Sequence, residues 1–255
     1  MKTCFAIVSA AFLAAVSSAS AAIVASDNGS NYGGGWTNGS NGGTGFGAWA
    51  FATQGSGFKG AFVGNPGNIG VTGMGSTALA LYANGSGNPA IWALRSFNSA
   101  LGVGDSFSMQ WGINWDSGST GSKGIILYTG SGYLTYALQV LNQGSSAISI
   151  LSNTSGAIAD IGFGYGTNAM TWTFTQTTAT SVTVTANDRD GSGSYSATFA
   201  VNGALSGFGL MTNALSDGNG NREPYYNNFT IDAVPAPGAL ALLGVAGLVG
   251  SRRRR

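Results

Sequence analysis

Histidine is absent from the 255 residues, cysteine occurs once (Cys4) and glutamate once (Glu223). Without histidine there is no Ser-His-Asp or Cys-His nucleophile arrangement and no histidine-bearing zinc site. Cys4 lies in an N-terminal segment that reads as removable. The mature chain therefore has no thiol and no disulfide, and packing alone must hold it. Charge is scarce too: charged residues make up 7% of the chain, against roughly 25% in an ordinary globular protein. The 44% hydrophobic content excludes disorder driven by high charge. Glycine is abundant, at 43 residues, but it has no three-residue period and only five prolines accompany it, which excludes a collagen helix. Between the two ends, the five cations Lys59, Arg95, Lys123, Arg189 and Arg222 face nine acids, leaving −4. That balance argues against nucleic acid, which demands a basic surface.

The ends are the most distinctive parts. Lys2, an apolar run over 5–16 and the small triplet Ala19-Ser20-Ala21 make residues 1–21 a secretory signal helix with its cleavage site marked by Ala19 and Ala21. The run is shorter than the ~20 residues of a membrane span. At the other end, Val234-Pro235-Ala236-Pro237 terminates the last strand, since proline cannot donate to a ladder. Residues 238–250 are wholly apolar, and Arg252, Arg253, Arg254 and Arg255 close the chain. A helix over 234–251 would reach about 27 Å at ~1.5 Å per residue, close to a ~30 Å hydrocarbon core, with the arginines on the cytoplasmic side. A plain tail anchor would look like this.

A proline dipeptide, a short apolar helix and a terminal arginine cluster together resemble the PEP-CTERM sorting signal. The resemblance covers residues 234–255 and implies an exported protein held transiently in the inner membrane. An exosortase-type enzyme would then process it at Pro235, Ala236 and Pro237, leaving the protein at the surface of an exopolysaccharide-producing cell. Ala236 stands where that family usually has glutamate.

The body, residues 22–233, consists of short apolar alternations separated by Gly, Ser, Asn and Asp clusters, the pattern of many strands joined by turns. Phe107, Met109, Trp111, Ile113 and Trp115 take every second position, so one strand face is an apolar wall and the other is polar. Leu134, Tyr136, Leu138 and Val140 repeat the pattern, as do Trp172 and Phe174, and Val182 and Val184. No stretch sustains a helical apolar period, and no repeat of 20 to 50 residues suggests a solenoid or propeller. The expectation is one all-β domain, an antiparallel two-sheet sandwich of jelly-roll type, flanked by the signal helix and a transmembrane helix over 238–250. Residues 22–50 are rich in Gly and Asn, and within them 28–47 reads either as an ordered loop or edge segment or as flexible disorder. The ending from Gly207 through Tyr225-Tyr226-Asn227-Asn228-Phe229 resembles the last strands of a concanavalin-like or laminin-G-like sandwich.

Catalytic chemistry is thinly represented. Glycoside hydrolysis needs only two carboxylates, but no alternating acidic cluster lies on a strand, and Asp116 has no visible partner. Asn187-Asp188-Arg189-Asp190-Gly191 resembles half of a calcium loop but lacks the later bidentate glutamate. A hairpin turn is the favoured reading there, with Asp188 and Asp190 the only metal candidates and no cofactor expected. Trp111 and Trp172 read as core, whereas Trp36, Trp49, Tyr225 and Tyr226 are the aromatics best placed for exposure, although burial is favoured for each. The leading expectation is a non-enzymatic, exported surface or matrix protein, with exosortase and exopolysaccharide as partners. The alternative is a lectin-like module binding glycan through Gln110, Asn114, Asp116, Tyr225 and Tyr226. An enzyme acting on polysaccharide is the third.

Overall fold

The structure, a computed structural model, describes residues 21–114, 121–133, 135–143, 148–164, 167–187, 193–215 and 220–235. Residues 21–234 form a compact body built from β1 (Ala22–Asp27), β2 (Ala50–Gln54), β3 (Phe58–Gly64), β4 (Ala78–Asn84), β5 (Ala90–Ser96), β6 (Ser106–Gly112), β7 (Ser122–Thr129), β8 (Thr135–Asn142), β9 (Ile148–Ser152), β10 (Ile158–Asp160), β11 (Met170–Thr178), β12 (Ser181–Asn187), β13 (Ser194–Ala200), β14 (Leu205–Asn213) and β15 (Tyr225–Ala233). Helix among the described residues is limited to three single 3-10 turns. No helix among them is long and apolar enough to cross a membrane. The 238–250 segment, the arginine cluster and the signal segment with Ala19 lie outside the described residues.

The strands form two antiparallel sheets. One runs β13-β12-β11-β6-β15-β4-β3, with β1 also paired to β15; the other runs β10-β9-β8-β7-β14-β5-β2. The chain passes from one sheet to the other at β1–β2, β2–β3, β4–β5, β5–β6, β6–β7, β10–β11, β13–β14 and β14–β15. This is the all-β two-sheet sandwich that the alternation predicts. Phe107, Met109 and Trp111 of β6 are buried facing the second sheet, as are Trp172 and Phe174 of β11. The sheets meet through an aromatic seam: Phe107 lies 4.6 Å from Phe208, and Phe208 lies 5.2 Å from Phe229. Burying each such ring contributes about 1.5–3 kcal/mol.

The 28–47 segment is an ordered loop, and a buried charge explains why. Arg95 is the third inward position of β5 after Ile91 and Ala93, and it is fully buried. Its guanidinium pairs with the Asp27 carboxylate. It also donates to the Gly47 carbonyl (2.7 Å), the Gly42 carbonyl (2.6 Å), Asn41 Oδ1 (3.2 Å) and the Tyr32 hydroxyl (3.1 Å). The rings of Phe46 and Trp49 sit 4.9 and 5.0 Å from the Arg95 guanidinium carbon. The loop thus supplies the partners that a buried cation requires. At Gly43, φ is +71° and a β-carbon would lie 2.3 Å from the Ser26 carbonyl, so only glycine allows this close return.

Burial, reinforced by its hydrogen bond to Asp27, pushes the Tyr32 hydroxyl up to about 12. A folded-state value raised above the unfolded one gives stability that is full below pH ~10 and lost as pH rises through about 12. Burial raises Tyr128, Tyr195, Tyr225 and Tyr226 in the same direction. Urea unfolding followed by circular dichroism should therefore show constant stability from pH 7 to 9 and a steep loss between pH 10 and 12.

Candidate functional site

The polar face of β6, singled out by sequence, is not an open binding surface at its Gln110 end. The connection 65–77 folds over it and packs Val71 and Met74 against Ala78, Ala80 and Tyr225. Gln110 Nε2 donates to the Gly73 carbonyl at 3.0 Å, and Gln110 Oε1 accepts from Asn228 Nδ2 at 2.6 Å. Asn227 Nδ2 donates to the carbonyls of Met74 (2.6 Å) and Thr77 (2.9 Å). These amides fasten a flap. Asn114 Nδ2 lies near Gly70 on the same flap. Asp116, Asp188 and Asp190 lie outside the described residues, as do Ala236 and Pro237.

Tyr225 and Tyr226 must be corrected as glycan contacts. Tyr225 is 4% exposed beneath the flap, and Tyr226 is wholly buried in the core. There the Tyr226 hydroxyl donates to the carbonyl of Gly124 or Met211 (3.1 and 3.3 Å). The cause is a register shift in β15 between Asn227 and Thr230, with Asn228 at φ +52°. One extra residue lets both Tyr226 and Phe229 point inward. Trp36 and Trp49 are buried as well, packed edge-to-face at 5.0 Å against each other within the Arg95 loop.

A different pair of aromatics reaches the surface, Tyr136 and in part Tyr133, packed on the buried ring of Tyr128. Tyr128 of β7 pairs directly with Tyr136 of β8, because the register shifts between Leu127 and Tyr128 and leaves Ala137 as the extra residue. Strict alternation would put Tyr136 on the same face as Leu138 and Val140. The bulge turns it to the outside, where it is 37% exposed while Leu138 and Val140 stay in the core. Tyr133, in the turn joining these strands, has φ +58°, a conformation that a bulky side chain adopts only when its surroundings hold it. The Tyr128 ring meets Tyr133 at 5.6 Å and Tyr136 at 5.2 Å, both edge-to-face. Burial raises the Tyr128 phenol well above its ordinary value, so it stays neutral.

Two open clefts flank this tyrosine cluster. One, of about 350 Å³, runs between Ser96, Ser206 and the turn carrying Ser131 and Tyr133, with Tyr128 in its wall. The other, of about 390 Å³, is lined by Thr135, Tyr136, Asn153, Thr154 and Asn202. In the second cleft, Asn202 Oδ1 accepts from Thr129 at 2.7 Å and Asn153 Oδ1 accepts from Gln139 at 3.2 Å. Each amide is thereby oriented by the bond its oxygen accepts. Among the described residues, neither cleft is lined by a charged side chain. The arrangement supplies rings and neutral hydrogen-bonding groups and no carboxylate pair for acid–base work. Among the described residues no three His, Cys, Asp or Glu side chains gather as a metal site. The sequence signal for this site was three tyrosines around a Gly-Ser-Gly turn (residues 128–136), a pattern masked by the bulge.

No protein-family model matches the chain, and no curated protein matches it. Among solved structures, the CBM2 module of the evolved Dit of Lactobacillus casei BL23 phage J-1 is similar at 11% identity, covering 74% of this chain and 90% of that one, with a TM-score of 0.46. The globular domain of T. cruzi calreticulin is similar at 12% identity, covering 75% and 87%, with a TM-score of 0.43. The Ca2+-bound exoplasmic/lumenal domain of VIP36 is similar at 11% identity, covering 73% and 84%, with a TM-score of 0.42. The likeness is too loose to carry a ligand or a residue role to this chain.

Proposed function

We propose that the body is a non-enzymatic carbohydrate-binding domain that takes neutral glycan at the Tyr133–Tyr136 clefts. The observation that carries this is the combination, in one uncharged surface, of tyrosine rings for the apolar faces of sugar rings and oriented amides for their hydroxyls. Affinity electrophoresis in gels containing neutral polysaccharides tests it. Retardation is expected for the native protein, with Tyr136→Ala weakening binding about tenfold, or ~1.4 kcal/mol. Equal mobility in every gel and in a polysaccharide-free control would refute it.

A second reading concerns delivery: the domain is exported and sorted through its C-terminal signal, with an exosortase-type enzyme as partner and the cell surface as destination. Ala22, next to the signal cleavage position, pairs with Ala233, and the Val234 N–H is held by Asp105 Oδ1 at 2.9 Å. The first and last strands of the body therefore lie side by side, and the proline motif follows Val234 in sequence. Removing residues 234–255 should shift the protein from the envelope to the medium; unchanged fractionation would refute the sorting role.

A further inference from the structure

We infer that the ligand is the interior of an extended neutral polysaccharide laid across the strands, rather than a sugar at a chain end; this rests on the carbohydrate-binding reading above. The two clefts do not sit at random around the cluster. Ser96 is on β5, Ser206 on β14, Tyr128 on β7, Tyr136 on β8, and Asn153 directly follows β9. Those five strands are consecutive neighbours in one sheet. At ~4.8 Å per strand, the line from β5 to β9 spans about 19 Å, well beyond a single sugar ring.

The chemistry changes along that line in a way that suits a polymer. Serine hydroxyls lie at the β5–β14 end, tyrosine rings form a ridge in the middle, and amides lie at the β8–β9 end. A site for one terminal sugar converges polar groups on an enclosed pocket. Here Ser131, Thr135, Asn153 and Asn202 are all exposed, so both clefts lie open beside the ridge. A chain can enter over one cleft, cross Tyr133 and Tyr136, and leave over the other. With no charged side chain along the path among the described residues, an anionic polymer gains nothing from its charge there.

Calorimetric titration of the full chain with cello-, laminari- and manno-oligosaccharides from disaccharide to hexasaccharide tests this. In any series that binds, the hexasaccharide should bind at least tenfold more tightly than the disaccharide. A hexasaccharide carrying bulky groups at both ends should bind within twofold of the unmodified one. Affinity independent of length, or lost on capping the ends, would overturn the inference and leave the carbohydrate reading standing. Absence of binding by all three series would overturn both.

Discussion

Replacing Arg95 with methionine is expected to lower the melting temperature by roughly 10 °C. Asp27 would be left buried without its cation, and breaking a buried pair from one side costs about 3–5 kcal/mol. In a domain of this size each kcal/mol moves the midpoint by about 2–4 °C. The effect reaches beyond the pair, because the same guanidinium holds Asn41, Gly42 and Gly47 in place. Limited proteolysis of Arg95→Met should cut first within 28–47, where the native protein is expected to resist cleavage. Asp27→Asn should give a smaller loss, since the amide can still accept from Arg95 and Tyr32. The double variant Asp27→Leu/Arg95→Met should recover part of the stability by removing both charges together. Melting temperatures from calorimetry decide the order; a single Arg95 variant as stable as the native protein would show that the loop is organised by something else.

Gly124→Ala is expected to damage stability and binding together. A β-carbon there would lie 1.9 Å from the Val140 carbonyl oxygen, a backbone atom that cannot swing aside. Gly124 lies in the β7–β8 ladder opposite Leu141, and its own carbonyl accepts from the Tyr226 hydroxyl. Relief requires β7 and β8 to separate, at a cost of about 3 kcal/mol, the upper part of the overpacking range. Those are the strands that bring Tyr128 and Tyr136 together, so glycan affinity should fall with the melting temperature. Tyr136→Ala, in contrast, should lose affinity with a melting temperature close to native. If Gly124→Ala bound glycan at native strength, the tyrosine pair across these strands would not be the binding element.

Where alternation was unbroken, the fold was legible in the sequence. Phe107, Met109 and Trp111 identify an inward face because β6 pairs with β11 in continuous register from Met170↔Trp111 to Thr175↔Ser106. Where a strand carries an extra residue, the period-2 rule changes face midway. That is why alternation groups Tyr136 with Leu138, and why the final strand does not reveal that Tyr225 lies under a flap and Tyr226 in the core. The Arg95 cluster left a readable sign: a cation at the inward parity of Ile91 and Ala93. Its partners come from residues 27–49, a long way off in sequence, and composition alone does not connect them. The flap over Gln110 is likewise a tertiary event, fixed by Asn227 and Asn228 from the far end of the chain.

The outward residues of β11, β12 and β13 offer a second neutral surface, with hydroxyl pairs such as Thr183 and Thr198 at 2.8 Å. It lacks aromatic rings among the described residues, and hydroxyls such as those of Thr173, Thr183 and Thr198 already have hydroxyl partners. Chemical-shift mapping of the body with a neutral hexasaccharide separates the two surfaces directly. Binding at the clefts predicts perturbations centred on Tyr133, Tyr136, Asn153 and Asn202, with Thr173, Thr183 and Thr198 unmoved. Shifts centred on the threonines, or no shifts at saturating oligosaccharide, would contradict the account.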